Sequence, residues 1–224
     1  GSSLAYRFFT IDDPSLHIRG IGRDSHYPLL RSKFGSAVPL VSAEITDSDA
    51  LMKHAEQCDI IIHTASPVSE RYCSEHREEA YKTIVLGTRN VAAAAKQNKS
   101  FLIHLSTQAV YSTHRDRPMP LREDDPLMPD TSYGELKALA EKEASAVSRA
   151  VFLRITNAYG TGKLTPLHAS GVTGKFLSAA LSKTPITLYG DGSQGIDFVH
   201  IDDLIKVIEH LIRNPDKDIP RALN

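Results

Sequence analysis

Short apolar runs and longer helix-periodic stretches take turns through the first two thirds of this chain, and few folds accommodate that rhythm. Leu16–Gly22, Ala37–Ser42, Asp59–His63, Phe101–Ser106 and Ala150–Ile155 have the length and composition of strands. Between them, Asp47–Glu56, a long stretch from Glu75 to Gln97, and Ser132–Ser148 read as helices. The run Asn90-Val91-Ala92-Ala93-Ala94-Ala95-Lys96 has strong intrinsic helix preference. Alternation at this spacing predicts an α/β protein with a parallel sheet and helices on both of its faces. After Tyr159 the rhythm breaks into segments bearing Gly and Pro, around Gly160–Pro166 and Gly190–Gly195, with helices expected at Gly174–Ser182 and Ile201–Arg213. That predicts a smaller, irregular, substrate-facing portion inserted into the sheet domain.

Composition narrows the partners. A formal charge of -1 gives no electrostatic reason to expect nucleic acid or an anionic membrane. No apolar run approaches the ~18 residues that a membrane span needs, and the first residues lack a signal-peptide layout, so a cytoplasmic protein is expected. Cys58 and Cys73 are expected to be reduced thiols, and no Cys/His spacing resembles a zinc site.

The chemistry-bearing spacing lies in Thr131-Ser132-Tyr133-Gly134-Glu135-Leu136-Lys137. Tyr133 and Lys137 are i, i+4 and share one helix face, so both can reach one substrate. A phenol with a pKa near ~10 is a poor base at neutral pH. A neighbouring ammonium favours its phenolate form and is expected to bring it into working range. Thr107 lies upstream at the end of a strand and offers a hydroxyl. Tyr159-Gly160-Thr161-Gly162-Lys163 repeats the spacing, but its glycines disfavour a helix and it is read as a loop.

Five segments, in order, extend the pattern. They are Asp59-Ile60-Ile61-Ile62-His63-Thr64-Ala65-Ser66, Gly87-Thr88-Arg89-Asn90-Val91, Leu105-Ser106-Thr107-Gln108-Ala109-Val110-Tyr111, Leu153-Arg154-Ile155-Thr156-Asn157-Ala158-Tyr159-Gly160, and Gly190-Asp191-Gly192-Ser193-Gln194 followed by Asp197-Phe198-Val199-His200-Ile201-Asp202-Asp203. Together the chain resembles the extended short-chain dehydrogenase/reductase family, in its nucleotide-sugar epimerase/dehydratase branch. The resemblance implies a Rossmann-like, doubly wound parallel sheet over residues 1–158, rejoined by 197–213. A small substrate-binding portion would comprise 159–196 and 214–224. It also implies a homodimer acting on a nucleotide sugar.

The same resemblance assigns roles. Thr107, Tyr133 and Lys137 become the catalytic set, with Thr107 and Asn157 touching substrate. Gly1, Arg23, Glu44, Ile45, Thr64, Ala65, Ser66, Tyr133, Lys137 and Thr156 become cofactor contacts. Arg23, at the end of its strand where NAD-preferring members carry an acid, suits the 2'-phosphate of NADP through bidentate contact, with NAD still possible and Asp24 adjacent. Glu44-Ile45 resembles the acid-apolar pair that holds adenine. His63 and His200 are read as structural, packed or hydrogen-bonded.

Departures from the pattern shape the expectations further. Gly1-Ser2-Ser3-Leu4-Ala5 reads as only the last glycine of a pyrophosphate loop, and Arg221-Ala222-Leu223-Asn224 as the start of a strand, so the chain is expected to be truncated at both ends. Ile84 stands where the family usually has Asn, and Ile196 where an Arg often meets the diphosphate. Dehydratases place Asp-Glu directly after the hydroxyl residue, and Gln108-Ala109 cannot move the protons of water elimination.

Three functions therefore compete. The leading one is an epimerase or related sugar oxidoreductase working through a 4-keto intermediate. Its mechanism has Tyr133 taking the hydroxyl proton as hydride leaves for the nicotinamide, and Lys137 holding the cofactor ribose. The runner-up is an NADPH-dependent reductase of a non-sugar carbonyl, suggested by His63-Thr64-Ala65-Ser66-Pro67-Val68 and by Arg23. The third is a non-catalytic, cofactor-binding relative, in line with Ile84, Ile196 and the incomplete glycine loop.

Overall fold

The computed structural model describes residues 4, 5, 7, 8, 13–23, 25, 28, 32, 39–67, 69–112, 119–160, 171–188, 190–192 and 195–224. Its centre is a parallel sheet of β3 (Ile60–His63), β4 (Phe101–Thr107), β5 (Ala150–Ile155) and β8 (Ala222–Leu223), side by side in that order. β1 (Gly20–Gly22) and β2 (Leu40–Ser42) form a separate parallel pair, as do β6 (Asn157–Tyr159) and β7 (Phe198–His200). Parallel ladders throughout the described residues agree with the expected α/β class.

Alternation along β4 and β5 divides the core in two, because successive side chains leave a strand on opposite faces. Phe101 and Ile103 join Val151 and Leu153 on one face, under Leu4, Phe8 and helix α7 (Ile201–Arg213). Leu102, Ala150 and Phe152 face the other way, toward α1 (Ser48–Ala55), α4 (Gly87–Asn98) and α5 (Ser132–Ala144). The sheet is thus wound on both sides. Helix α7 shows why: Leu204, Ile205, Ile208 and Leu211 fall on one stripe and bury it. Each such side chain contributes about 1.5–3 kcal/mol, and cutting the fully buried Ile208 to Ala would cost about 2–5 kcal/mol. Its start is capped by His200, whose Nδ1 accepts from the Asp202 amide at 3.2 Å, so this histidine is hydrogen-bonded as expected.

Some boundaries differ from expectation. The helix expected from Glu75 to Gln97 begins earlier and is segmented into α2 (Glu70–Glu75), α3 (Arg77–Tyr81), a π-helical turn at Lys82–Leu86, and α4. The break falls at His76, whose backbone (φ -127, ψ 50) leaves the helical region. Of the strand expected over Leu16–Gly22, only Gly20–Gly22 is laddered, because β2 offers three partners. Ala222–Leu223 lies in the stretch assigned to the substrate portion, yet it pairs with Phe152–Leu153 and extends the main sheet. Helix α6 (Val172–Leu181) occupies the place expected for Gly174–Ser182.

Candidate active site

The C-terminal ends of β3, β4 and β5 point the same way, and the residues that follow them meet the start of α5. Ligands of open α/β sheets bind at this edge. Two independent devices fix the start of α5. Thr131 Oγ1 accepts from the Gly134 amide at 3.1 Å. From α2, the Glu70 carboxylate accepts from the amides of Ser132 (3.0 Å) and Tyr133 (2.8 Å). These bonds satisfy donors that a helix start leaves free, and they put negative charge at its positive end. Gly134 then lets the helix approach the turn after Thr107. A Cβ built there would collide with the Ala109 carbonyl oxygen, so a larger residue requires the helix or the turn to shift.

Tyr133 and Lys137 share the inward face of α5, as the spacing predicts. The Tyr133 ring packs beside a small cluster of Cys73, Ala80, Ile84, Val85, Leu136 and Ala140. Burial pushes its phenol up to about 12 and Cys73 adds to this, while a hydrogen bond with Ser66 pulls the other way. Lys137 is 3% exposed, and its Nζ donates to the Leu105 carbonyl oxygen at 2.6 Å. Burial pushes the ammonium down to about 8, against the opposing pull of the Glu141 carboxylate. Lys137 is one of the two charges expected to favour the phenolate, the positive ring of an oxidised nicotinamide being the other, and Lys137 by itself does not bring the phenol into working range. The ammonium is engaged by a β4 carbonyl, and desolvation of the phenol is the larger effect. An ammonium has three donors, so further ones remain for a ligand.

Beneath Lys137 the sheet is polar. His63 and His104 are opposite each other on β3 and β4, with ring centroids 5.1 Å apart. His63 Nε2 lies 2.9 Å from Thr88 Oγ1, whose hydroxyl donates to the Ile84 carbonyl oxygen at 2.5 Å. The threonine proton is thereby used, so His63 is the donor in this pair. Burial, with the nearby Lys137 charge, holds His63 down to about 3 and His104 well below its ordinary value. His104 is 1% exposed, and neither ring nitrogen has a hydrogen-bond partner among the described residues. Two residues further along β4 and β5, Ser106, Glu141 and Arg154 form a buried network.

The other sequence-predicted residues fall into two groups. Thr64, Ala65 and Ser66 follow β3 directly, and Thr107 ends β4 with its Oγ1 accepting from the Ala109 amide at 3.2 Å. Of these, Ser66 hydrogen-bonds with Tyr133, and the turn after Thr107 lies against Gly134 of α5. Arg23 and Glu44 are exposed at the ends of the separate β1–β2 pair, and Arg23 is within electrostatic reach of the Tyr72 phenol. The Ile45 carbonyl accepts from Asn90 Nδ2 at 3.1 Å, and its side chain fills the space at Gly87. Thr156 Oγ1 (2.7 Å) and Asn157 Nδ2 (3.2 Å) both donate to the Asp197 carbonyl oxygen, which joins β6 to the segment before β7. Gly1 and Asp24 lie outside the described residues.

Sequence reasoning missed Glu70, His104 and Glu141. Glu141 carried a signal, since it continues the i, i+4 series of Tyr133 and Lys137. Glu123 and Asp124, the carboxyls nearest in sequence that could replace a dehydratase pair, are exposed and engaged elsewhere. Glu123 accepts from the Asn224 amide at 2.9 Å, and Asp124 pairs with Arg122 at 3.5 Å. Both cysteines are free, and no group of His, Cys, Asp and Glu among the described residues could hold a metal ion. Nor is any described helix long and apolar enough to cross a membrane.

A parallel sheet wound on both faces, with a tyrosine and a buried lysine at its strand ends, defines a Rossmann-like nucleotide-binding class. More particularly, the chain belongs to the NAD dependent epimerase/dehydratase family, whose model matches residues 11–224. It is 28% identical over 178 residues to UDP-N-acetyl-alpha-D-glucosaminuronate decarboxylase of Bacillus cytotoxicus, covering 75% of this chain and 54% of that protein. It is 25% identical over 178 residues to dTDP-glucose 4,6-dehydratase of Mycobacterium tuberculosis, covering 79% and 54%. The chain thus spans about half the length of these relatives. Among solved structures it resembles UDP-glucuronic acid 4-epimerase from Bacillus cereus, in complex with UDP-glucuronic acid and NAD, with a TM-score of 0.81 at 22% identity, covering 99% of this chain and 72% of that one.

Proposed function

We propose that this protein is a nicotinamide-dependent nucleotide-sugar epimerase, or a closely related sugar oxidoreductase, acting through a 4-keto intermediate. The observation that supports it most is the pairing of Tyr133 with a buried Lys137 on one face of α5, beside Thr107 at the end of β4. The donor set fits a nicotinamide nucleotide. Lys137 has donors beyond the one given to Leu105 and would hold the ribose, while Thr64, Ala65, Ser66 and Thr156 would border it. Arg23, Glu44 and Ile45 would meet the adenosine end, in NADP rather than NAD. When bound, the cofactor supplies the acceptor for the hydride of the sugar C–H bond.

The remaining work belongs to the chain. Tyr133 takes the proton of the reacting hydroxyl and later returns one, and Thr107 hydrogen-bonds the reacting oxygen. Burial keeps the resting phenol protonated, so it becomes a base when positive charge is gathered beside it. With Gln108 and Ala109 after Thr107, no side chain at those positions can serve the proton transfers of dehydration. The test is incubation with UDP- and dTDP-hexoses and either cofactor. The expected product is a C4 epimer with no net redox change and no 4-keto-6-deoxy sugar. Loss of one water from the substrate would overturn the exclusion of dehydration, and net NADPH oxidation with a non-sugar ketone would favour a carbonyl reductase. Titration of NADP and NAD against Arg23→Ala is expected to weaken NADP selectively. Equal loss would remove Arg23 as the reader of the 2'-phosphate.

A further inference from the structure

Glu141 is the third residue of the helix face that carries Tyr133 and Lys137, one turn further on. Its side chain is 4% exposed, and that of its ion-pair partner Arg154 is 7% exposed. Oε1 accepts from Ser106 Oγ at 2.5 Å and from Arg154 Nε at 3.2 Å, and Oε2 accepts from Arg154 Nη2 at 3.0 Å. Arg154 is in turn held from behind, its Nη1 donating to the Tyr111 hydroxyl at 2.5 Å and to the Glu123 carbonyl oxygen at 2.9 Å. Three successive residues of β4 thus serve the site. Leu105 receives Lys137, Ser106 donates to Glu141, and Thr107 is the hydroxyl assigned to the substrate.

We propose that Glu141 is a positioning residue, which ties α5 to Ser106 and Arg154 and so holds Lys137, one turn before it on the same face, in register with the end of β4. The proposal rests on the Thr107–Tyr133–Lys137 reading and adds the group that sustains it. Lys137 is faced by Tyr133 and Glu141 from its own helix, by His104 from β4 and His63 from β3, with Arg154 on β5 beyond Glu141. Both imidazoles are held neutral by burial, and the carboxylate of Glu141 opposes the discharge of Lys137. A buried ammonium with no anion near it gives up its proton readily.

Glu141→Gln alone strands the Arg154 charge and endangers the fold. The decisive variant is therefore the double change Glu141→Gln with Arg154→Met, which removes both charges together. The readout is an NMR titration of protein labelled with 13Cε-lysine, with Lys137 assigned by the signal lost in Lys137→Arg. In the double variant the Lys137 midpoint is expected to fall, because Glu141 acts on Lys137 and Arg154 lies beyond it. Arg154→Lys, which keeps both charges, is expected to stay near wild type. Should the double variant not fold, Glu141→Asp reads the same quantity, since a shorter carboxylate acts more weakly on Lys137 and the midpoint still falls. An unchanged midpoint in the folded variant would overturn the proposal and reduce Glu141 to a structural ion pair, with the catalytic reading intact. Turnover surviving Tyr133→Phe would overturn that reading instead and leave the Lys137 titration standing.

Discussion

The contact between α5 and β4 and the stretch from Val172 to Phe198 follow opposite plans. In the first, polar groups are engaged: Lys137 on Leu105 and Glu141 on Ser106 and Arg154 in the interior, and the exposed Glu70 on the amides of Ser132 and Tyr133. In the second, apolar groups are exposed. Helix α6 has no buried residue, and Leu177, Leu181, Ile186, Leu188, Ile196 and Phe198 all face solvent. Tyr133 and Lys137 therefore sit where neighbours fix their rotamers and ionisation. The second region gains little from the core.

The largest expected effect probes the first region. Tyr133→Phe keeps the packed ring but removes the proton-transfer group, and turnover is expected to fall ~10²–10⁴-fold with cofactor affinity nearly unchanged. A wild-type kcat would show that the polar contact is architecture without chemistry.

Acid comes next. The folded values of His63 and His104 lie below their ordinary value of 6.5, so the unfolded chain binds protons that the native fold refuses. Stability is then lost as pH falls from about 6.5, for His63 continuing to about 3. Between pH 7.5 and 5 the loss is about 2 kcal/mol for His63, and His104 adds to it in the same direction. Urea midpoints across this range are expected to decline steeply, and His104→Leu should flatten the decline. A flat wild-type profile would mean that the imidazoles protonate inside the fold.

Gly134→Ala sharpens the packing side of the comparison. Alanine is the better helix former, yet its Cβ meets the Ala109 carbonyl oxygen, and the net cost is expected to be about 1–3 kcal/mol in thermal unfolding. A rise in melting temperature would mean that α5 can move away from the turn. Smallest of all, Leu181→Ser at a position 70% exposed should change stability by no more than about 0.5 kcal/mol. A cost typical of a core leucine would show that α6 is packed after all.

Legibility in the sequence followed the same divide. Strand β5 and helix α7 matched their expected bounds because apolar spacing alone specifies them. The Tyr133–Lys137 spacing was legible, since i, i+4 on a helix is local geometry. The direction of the Lys137 side chain was not, because the carbonyl that receives it belongs to Leu105, on another element. His63 and His104 come together only through the register of β3 on β4, which no local pattern specifies. The π turn at Lys82–Leu86 was likewise hidden, since helix propensity does not distinguish it from the α-helix around it.

That turn has a consequence for rotational phase. One extra residue per turn advances the helix face by about 100°. Upstream, Ala80 and the turn's own Ile84 and Val85 face the cluster beside Tyr133. Downstream, Val91, Ala92 and Ala95 face the sheet through Leu102 and Ala150. One continuous rod therefore serves two cores set at an angle to each other, with the extra residue as the offset between them. Deleting a single residue between Lys82 and Leu86 would restore an α turn and leave Ala80 and Val91 facing as they do now, whereas regularising the turn at full length would rotate one of the two apolar faces by about 100° away from its core.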